Sequence, residues 1–324
     1  MWEKLPALKT ELDLFEVLLN EQFGSKKNIN SFIDRLSLDI IKSGGKRLRP
    51  AMTIAAAKLG DYRRDKVFGT AMSVEMLHTA TLIHDDIIDN SLVRRNAPTL
   101  FATQGVSTAV FAGDYIYVKS MQALAEAELP TQYLKELSKA VEAICVGEVE
   151  QFRGRGKLPG FKTYLSRISR KTAVLFAACC AVGSHTAGLS EEAVRHAARF
   201  GVYYGIAFQI KDDLLDLTEH PSRIGKPVGN DLKEGVVTLP VLLAASQDDG
   251  LRAQVEGFLS GLKQKKPAQK DIRRIIKMVA DAEGIQKSQA ILDRYIAKAE
   301  KQLERLPESE GRQLLKGILE VTFQ

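Results

Sequence analysis

Apolar residues recur at helical spacing along most of the chain. Leu5, Leu8, Leu12, Phe15 and Leu19 line one face near the start, and Ile272, Ile275, Ile276 and Val279 line another near the end. Residues three and four apart share a side of an α-helix, whereas a strand alternates its faces every second residue. Helix breakers punctuate these runs at Gly44-Gly45, Pro50, Gly60, Pro98, Pro130, Gly154 to Pro159, Gly188, Pro221 to Gly229, Pro240 and Pro307. The segments between them run to roughly 10–28 residues, the length of helices rather than strands. One stretch competes. Val106 to Val118 carries β-branched and aromatic residues, but a lone strand would have no sheet to join, so it reads as helix. Its apolar residues and those of Leu5–Leu19 would serve as core in preference to an interface. No tandem repeat appears at solenoid periods. The pattern predicts an all-α fold in a single domain over residues 1–324.

At 45% hydrophobic and 27% charged residues, the chain has ample material for a large core, which excludes disordered and fibrous classes. Its longest nearly uncharged apolar stretch, Ala173 to Gly183, falls well short of the roughly 20 residues that cross a bilayer. The opening residues do not read as a secretory signal. Three cysteines, Cys145, Cys179 and Cys180, form neither a disulfide framework nor a metal-ligand spacing. A reduced, cytoplasmic protein that does not span a membrane is the expectation. The formal charge of +6, from 46 basic and 40 acidic residues, suits nucleic acid, an anionic membrane or a polyphosphorylated substrate. The basic run Lys263 to Arg274 has no interleaved aromatics, so it reads as a solvated loop and helix start and not as a nucleic-acid patch.

Two distant segments are built alike: Asp85-Asp86-Ile-Ile-Asp89 and Asp212-Asp213-Leu-Leu-Asp216. On a helix, residues i and i+4 lie on one face about a turn apart. Asp85 therefore projects with Asp89, and Asp212 with Asp216, while Asp86 and Asp213 stand about 100° to the side. Stacked like charges repel, and the aliphatic residues between them imply a largely buried helix, which raises the cost. A solvated acidic face is the plain alternative, but the aliphatic neighbours argue against it in both segments. Clustered carboxylates without cysteine or histidine ligands suit a hard cation such as Mg²⁺, which keeps its other positions for water and substrate phosphates. Counting back at 100° per residue puts His78 within about 20° of the Asp85–Asp89 stripe and Gln209 within about 60° of Asp212.

Cations accompany the acids. Gly44-Gly45-Lys46-Arg47-Leu48-Arg49-Pro50 sets three cations in a flexible turn before a probable helix start, a combination that favours anion binding. Arg94-Arg95 follow the first cluster, Lys171-Thr172 open the apolar helix at Ala173, and Gly225-Lys226 follow the second cluster. Guanidinium groups match phosphate oxygens bidentately. Each element alone reads better as loop solubility, but their placement beside the acids points to an anionic ligand. A diphosphate held through divalent ions meets both demands.

These elements, in this order and over essentially the whole chain, resemble the trans-isoprenyl diphosphate synthases, the polyprenyl synthetase family, and especially its bacterial long-chain members. The resemblance implies one bundle of helices around a deep central cavity, with the two aspartate clusters facing each other near its mouth. It implies ionisation of an allylic diphosphate, attack by isopentenyl diphosphate and loss of a proton, with about three Mg²⁺ ions when substrate is bound. Matched residue by residue, Asp85, Asp89 and Asp212 are the first-choice metal ligands, and Asp86, Asp213 and Asp216 stand close behind. Lys46, Arg49, His78 and Arg95 would bind isopentenyl diphosphate. Arg94, Lys171, Gln209 and Lys226 would hold the allylic diphosphate, farnesyl or geranylgeranyl, with Thr172 as a further candidate.

The family's tail pocket runs below the first cluster, and short-chain members tend to place an aromatic four or five residues before its first Asp. Here those positions are Thr81 and Ala80, with Leu77 and Val74 on the same side. Small residues there imply a longer all-trans product, on the order of six to nine isoprene units, of the kind used in quinone side chains, because an apolar pocket discriminates weakly per methylene and needs a floor. The resemblance leaves open a homodimer or a heterodimer with a small regulatory subunit. Three other protein classes share parts of this pattern. A class I terpene cyclase would carry a different second metal motif and need no Lys46–Arg49 site. A helical phosphohydrolase, suggested by His84-Asp85, needs several metal-binding histidines, and only five histidines exist, mostly far from acid pairs. A non-catalytic partner subunit should have lost one cluster.

Overall fold

Helix boundaries follow from local chemistry, as the element carrying the first aspartate cluster illustrates. After the 3-10 turn Trp2–Lys4 come α1 (Pro6–Gly24), α2 (Phe32–Lys42), α3 (Leu48–Ala57) and α4 (Arg64–Ile88). Asp65 sits in the first turn of α4, where the helix dipole favours an acid, and the helix ends at Asp89 before Asn90 takes a left-handed conformation. The computed structural model describes residues 1–24, 32–95, 97–218, 228–262 and 267–324. Beyond α4, two-residue strands β1 (Val93–Arg94) and β2 (Ala97–Pro98) pair antiparallel. This small hairpin departs from the expected pure helix, and its ends are tied by Thr99 N–H to the Leu92 carbonyl at 3.0 Å.

The remaining helices are α5 (Leu100–Glu126), α6 (Thr131–Gly154), α7 (Phe161–Ile168), α8 (Val174–Thr186), α9 (Glu191–Thr218), α10 (Asn230–Lys233), α11 (Leu239–Ala245), α12 (Asp249–Gly261), α13 (Gln269–Asp281), α14 (Gly284–Leu303) and α15 (Glu310–Phe323). A π-helical turn, Ser169–Ala173, joins α7 to α8. The Val106–Val118 stretch lies within α5, whose side chain-capped start at Thr99 accepts the Ala102 N–H. Its axis bends at Gly105, whose φ of +79° no other residue adopts as readily.

The chain forms two compact units: residues 1–136, 176–198 and 302–324, and residues 137–175 and 199–301. In the first, Leu8, Leu12, Phe15 and Leu19 of α1 are buried, as are Ala51, Ala55, Ala56 and Ala57 of α3. Small residues let backbones approach: a Cβ on Gly113 of α5 would meet the His84 ring at 2.3 Å, so α5 packs closely beside the residue preceding Asp85. The core reading of α5 holds only for one face. Ala109, Ala112 and Ile116 are buried, whereas Val106, Phe111 and Val118 are exposed. In the second unit Phe200, Tyr204 and Ile210 of α9 are buried, and so are Ile272, Ile275 and Val279 of α13, on the predicted face. No described helix is long and apolar enough to cross a membrane.

Candidate active site

The first unit carries one acidic cluster and most of the predicted cations. Asp85 and Asp89 are half-buried, and Asp86 is buried at 6% exposure. Sequence reasoning placed this cluster in a largely buried helix. Instead Ile88 is 49% exposed, because α4 ends there and Asp89 caps it. The loop that follows folds back on the cluster. Ser91 N–H donates to the Asp86 carbonyl at 2.8 Å, and Arg94 Nε donates to Asp86 Oδ1 at 2.7 Å. Arg95 stands in left-handed conformation at φ +51°.

In the same unit the glycine turn leads into α3. Lys46 is exposed and its carbonyl accepts the Trp2 indole N–H at 3.0 Å. Arg49 is half-buried with its guanidinium 4.8 Å from the Phe176 ring centre. A Cβ on Gly45 would lie 3.0 Å from the Arg95 guanidinium nitrogens, so this turn and the loop after the first cluster meet closely. Desolvation holds the half-buried His78 imidazole well below its ordinary pKa, reinforced by the charges of Arg49, Arg95, Arg94 and Arg47. Four cations thus bear on one neutral histidine. The structure brings Arg49, His78, Arg94 and Arg95 near one another, whereas the motif reading grouped Arg49, His78 and Arg95 with Lys46 and assigned Arg94 to the allylic diphosphate. Leu77 and Ala80 are buried on α4, and Thr81 is half-buried, its hydroxyl donating to the His78 carbonyl at 2.8 Å.

The second unit carries the other cluster, all of it within α9. Asp212 is exposed and Asp216 is half-buried, and Asp216 accepts the backbone N–H groups of Asn230 at 3.0 Å and Asp231 at 3.3 Å. Asp213 is 3% exposed. It accepts from the Tyr164 hydroxyl at 2.7 Å, the Leu239 N–H at 3.1 Å and Gln209 Nε2 at 3.2 Å. Burial nevertheless pushes its carboxyl up to about 6, partly offset by these donors. The Thr172 hydroxyl donates to Gln209 Oε1 at 2.8 Å, which joins the π-turn to the cluster. Lys171, on that turn, pairs with Glu148 of α6 at 2.8 Å, and its neighbour Arg170 pairs with Glu150. Lys226 lies outside the described residues.

Among the described residues no group of three or more acidic, histidine or cysteine side chains is gathered tightly enough to hold an ion alone. The buried Asp86 and Asp213 accept hydrogen bonds from protein donors, and Asp85, Asp89 and Asp212 are more exposed than they are.

A model of the polyprenyl synthetase family matches residues 30–279. The chain belongs to the polyprenyl synthetase family. Heptaprenyl diphosphate synthase component 2 of Geobacillus stearothermophilus is 36% identical over 283 residues, 87% of this chain and 86% of that protein. The crystal structure of heptaprenyl diphosphate synthase from Staphylococcus aureus matches with a TM-score of 0.90 at 30% identity, covering 97% of each chain. That of polyprenyl synthase from Caulobacter crescentus, complexed with calcium and isoprenyl diphosphate, has a TM-score of 0.88 at 30% identity over 98% of this chain and 95% of that one. This polyprenyl synthetase is therefore an all-α prenyltransferase of the trans-isoprenyl diphosphate synthase kind.

Sequence reasoning did not single out Tyr164, Glu148 or Glu75 in the synthetase. Tyr164 and Glu148 contact Asp213 and Lys171 from 49 and 23 residues away. No local spacing signals such pairs. Glu75, three residues before His78 on one helix, could have been found by the same angular count that found His78.

Proposed function

We propose that the protein condenses isopentenyl diphosphate with an allylic diphosphate, farnesyl or geranylgeranyl, to an all-trans polyprenyl diphosphate on the order of six to nine isoprene units long. The observation that carries this reading is the shared design of the two clusters. In each, the middle aspartate is buried on protein donors and the first remains more accessible, and in the first cluster a cation, Arg94, is among those donors. Asp85, Asp89 and Asp212 would hold magnesium, with Asp86, Asp213 and Asp216 shaping the clusters. When bound, the ions supply charge neutralisation for a departing diphosphate.

The chain's own residues do the rest. Lys46, Arg49 and Arg95 hold the isopentenyl diphosphate by charge, and the neutral His78 contributes a hydrogen bond without adding a proton. Arg94, Lys171, Thr172 and Gln209 hold the allylic diphosphate, and Lys226 belongs to the same reading. As the allylic C–O bond breaks, its electron pair leaves with diphosphate. The alkene of isopentenyl diphosphate forms the new C–C bond, and a proton lost to the departing diphosphate restores a double bond. No side chain acts as a covalent nucleophile. The small Ala80 and Thr81, with Leu77, leave the tail room to grow down α4. Residues 1–324 act as one domain in this scheme, in the cytoplasm.

The exposed Ile88, Leu92, Val93, Val106, Phe111 and Val118 favour an assembly that covers an apolar face, as a homodimer or with a small dissimilar subunit. The word "component" in a relative's name supports the second arrangement.

The test is incubation of the purified chain with Mg²⁺, radiolabelled isopentenyl diphosphate and farnesyl diphosphate, followed by chain-length analysis. Products of about six to nine units are expected. Products that stop at four units overturn the length, and absence of product both alone and with a small partner subunit overturns the reaction. Ala80→Phe should shorten the product, and an unchanged length removes the pocket assignment.

A further inference from the structure

The glycine turn holds three cations, and one of them does not face a ligand. Lys46 is exposed and Arg49 half-buried, but the guanidinium of Arg47 is buried at 5% exposure. It forks onto Glu16 of α1, with Nη2 to Oε2 at 3.1 Å, reaches Glu75 of α4 at 2.8 Å, and donates to the Ile41 carbonyl at the end of α2 at 2.8 Å. Its backbone stands at φ +49°, a left-handed conformation that an L-residue keeps only when its surroundings over-determine it.

We propose, resting on the prenyl-transfer reading above, that Arg47 is a positioning residue: clamped by Glu16 and Glu75, it fixes both sides of the isopentenyl diphosphate subsite. On one side its peptide neighbours carry Lys46 and Arg49, and α3 starts directly on it, with Ala51 N–H donating to its carbonyl at 3.0 Å. On the other side Glu75 is buried at 4% exposure one helical turn before His78. Glu75 also faces Arg95: desolvation lowers the Arg95 pKa and the Glu75 charge opposes it. One guanidinium thereby ties the turn bearing two diphosphate ligands to the helix bearing the third and to the neighbourhood of the fourth. A buried ion cluster is a poor source of stability compared with apolar packing, and its best-attested use is to fix one geometry. Lysine could not replace Arg47 here, since a single ammonium lacks the planar fork that serves two carboxylates and a carbonyl.

The experiment uses the full-length chain and reads the KM of each substrate separately. Arg47→Lys keeps the charge and loses the fork. The combined variant Arg47→Met, Glu16→Gln, Glu75→Gln removes all three charges and leaves no unpaired buried carboxylate. Folding is checked by circular dichroism. The KM for isopentenyl diphosphate is expected to rise about 10- to 100-fold, the scale of an ångström-sized misplacement. The KM for farnesyl diphosphate should stay within about twofold. Folded variants with an unaltered isopentenyl diphosphate KM, or an equal loss for both substrates, overturn the proposal. If the combined variant does not fold, Arg47→Lys decides alone by the same criteria. Calorimetric binding of isopentenyl diphosphate repeats the comparison without turnover. A wild-type chain that binds but makes no product, with or without a small partner subunit, sinks only the reaction, variants that bind like wild type sink only the clamp, and a wild-type chain that does not bind sinks both.

Discussion

The two aspartate clusters share one sequence pattern and are satisfied in opposite ways. In the first, the buried Asp86 meets a full cation, Arg94, only eight residues further on. In the second, the buried Asp213 is met by neutral donors, a tyrosine hydroxyl, a backbone N–H and an amide, brought from as far as 49 residues away. The first therefore has its buried charge neutralised within its own loop, whereas the second keeps a desolvated carboxylate whose proton affinity is raised. Equal spelling fixes which face each acid takes on its helix. It does not fix the electrostatics, which depend on what the rest of the chain delivers to the middle position.

The largest expected effect tests what the clusters have in common. Asp85→Ala and Asp212→Ala should each leave the helical circular dichroism intact and lower kcat by at least about 10³-fold. Normal turnover in either variant breaks the equivalence of the two accessible acids.

The next effect separates them. Asp213 has a folded pKa of about 6 against an ordinary value of 3.8. Its folded form thus retains a proton that the unfolded chain loses, and stability falls as pH rises from about 4 through 6. The full difference is about 3 kcal/mol, taking 1.36 kcal/mol per pKa unit. Denaturant unfolding with metal chelated should therefore show Asp213→Asn gaining on wild type across that window, with no further gain above it. A stability difference independent of pH would show that the neutral donors fully replace solvent, as a cation does for Asp86.

A smaller change sharpens the same point. Tyr164→Phe removes one buried donor from Asp213 and should cost about 1.5–3 kcal/mol at pH 7 by denaturant titration. A loss under about 0.5 kcal/mol would assign the site's integrity to Leu239 and Gln209 instead. The smallest effect belongs to the partly exposed Lys171–Glu148 pair. Glu148→Gln should change stability by no more than about 1 kcal/mol and show mainly in the KM for the allylic substrate. Stability loss without a KM change would make that pair structural.

The same contrast explains how much was legible beforehand. The all-α class and the buried faces of α1 and α13 followed from periodicity, because helical geometry is local. Arg94 was flagged because it lies beside its cluster. Tyr164 and Glu148 were not, because no nearby pattern marks a residue that arrives through tertiary packing, and Glu75 was passed over although the angular count along α4 reaches it. The exposure of Ile88 was misjudged for a different reason. Aliphatic residues between acids imply burial in mid-helix, but here the helix stops at Asp89, which leaves Ile88 exposed. The outward face of α5 was misread likewise, since apolar periodicity cannot say whether a second molecule covers a helix.

The wider turn at Ser169–Ala173 accommodates one more amino acid than a regular helix would in the same axial length. Lys171 and Thr172 both sit on it and both find partners through it. Shortening this segment by one codon should let the backbone relax to ordinary α-helix while shifting both side chains off their partners by about a quarter turn. The coding sequence is thus sensitive here to loss of a residue even where every remaining side chain is kept.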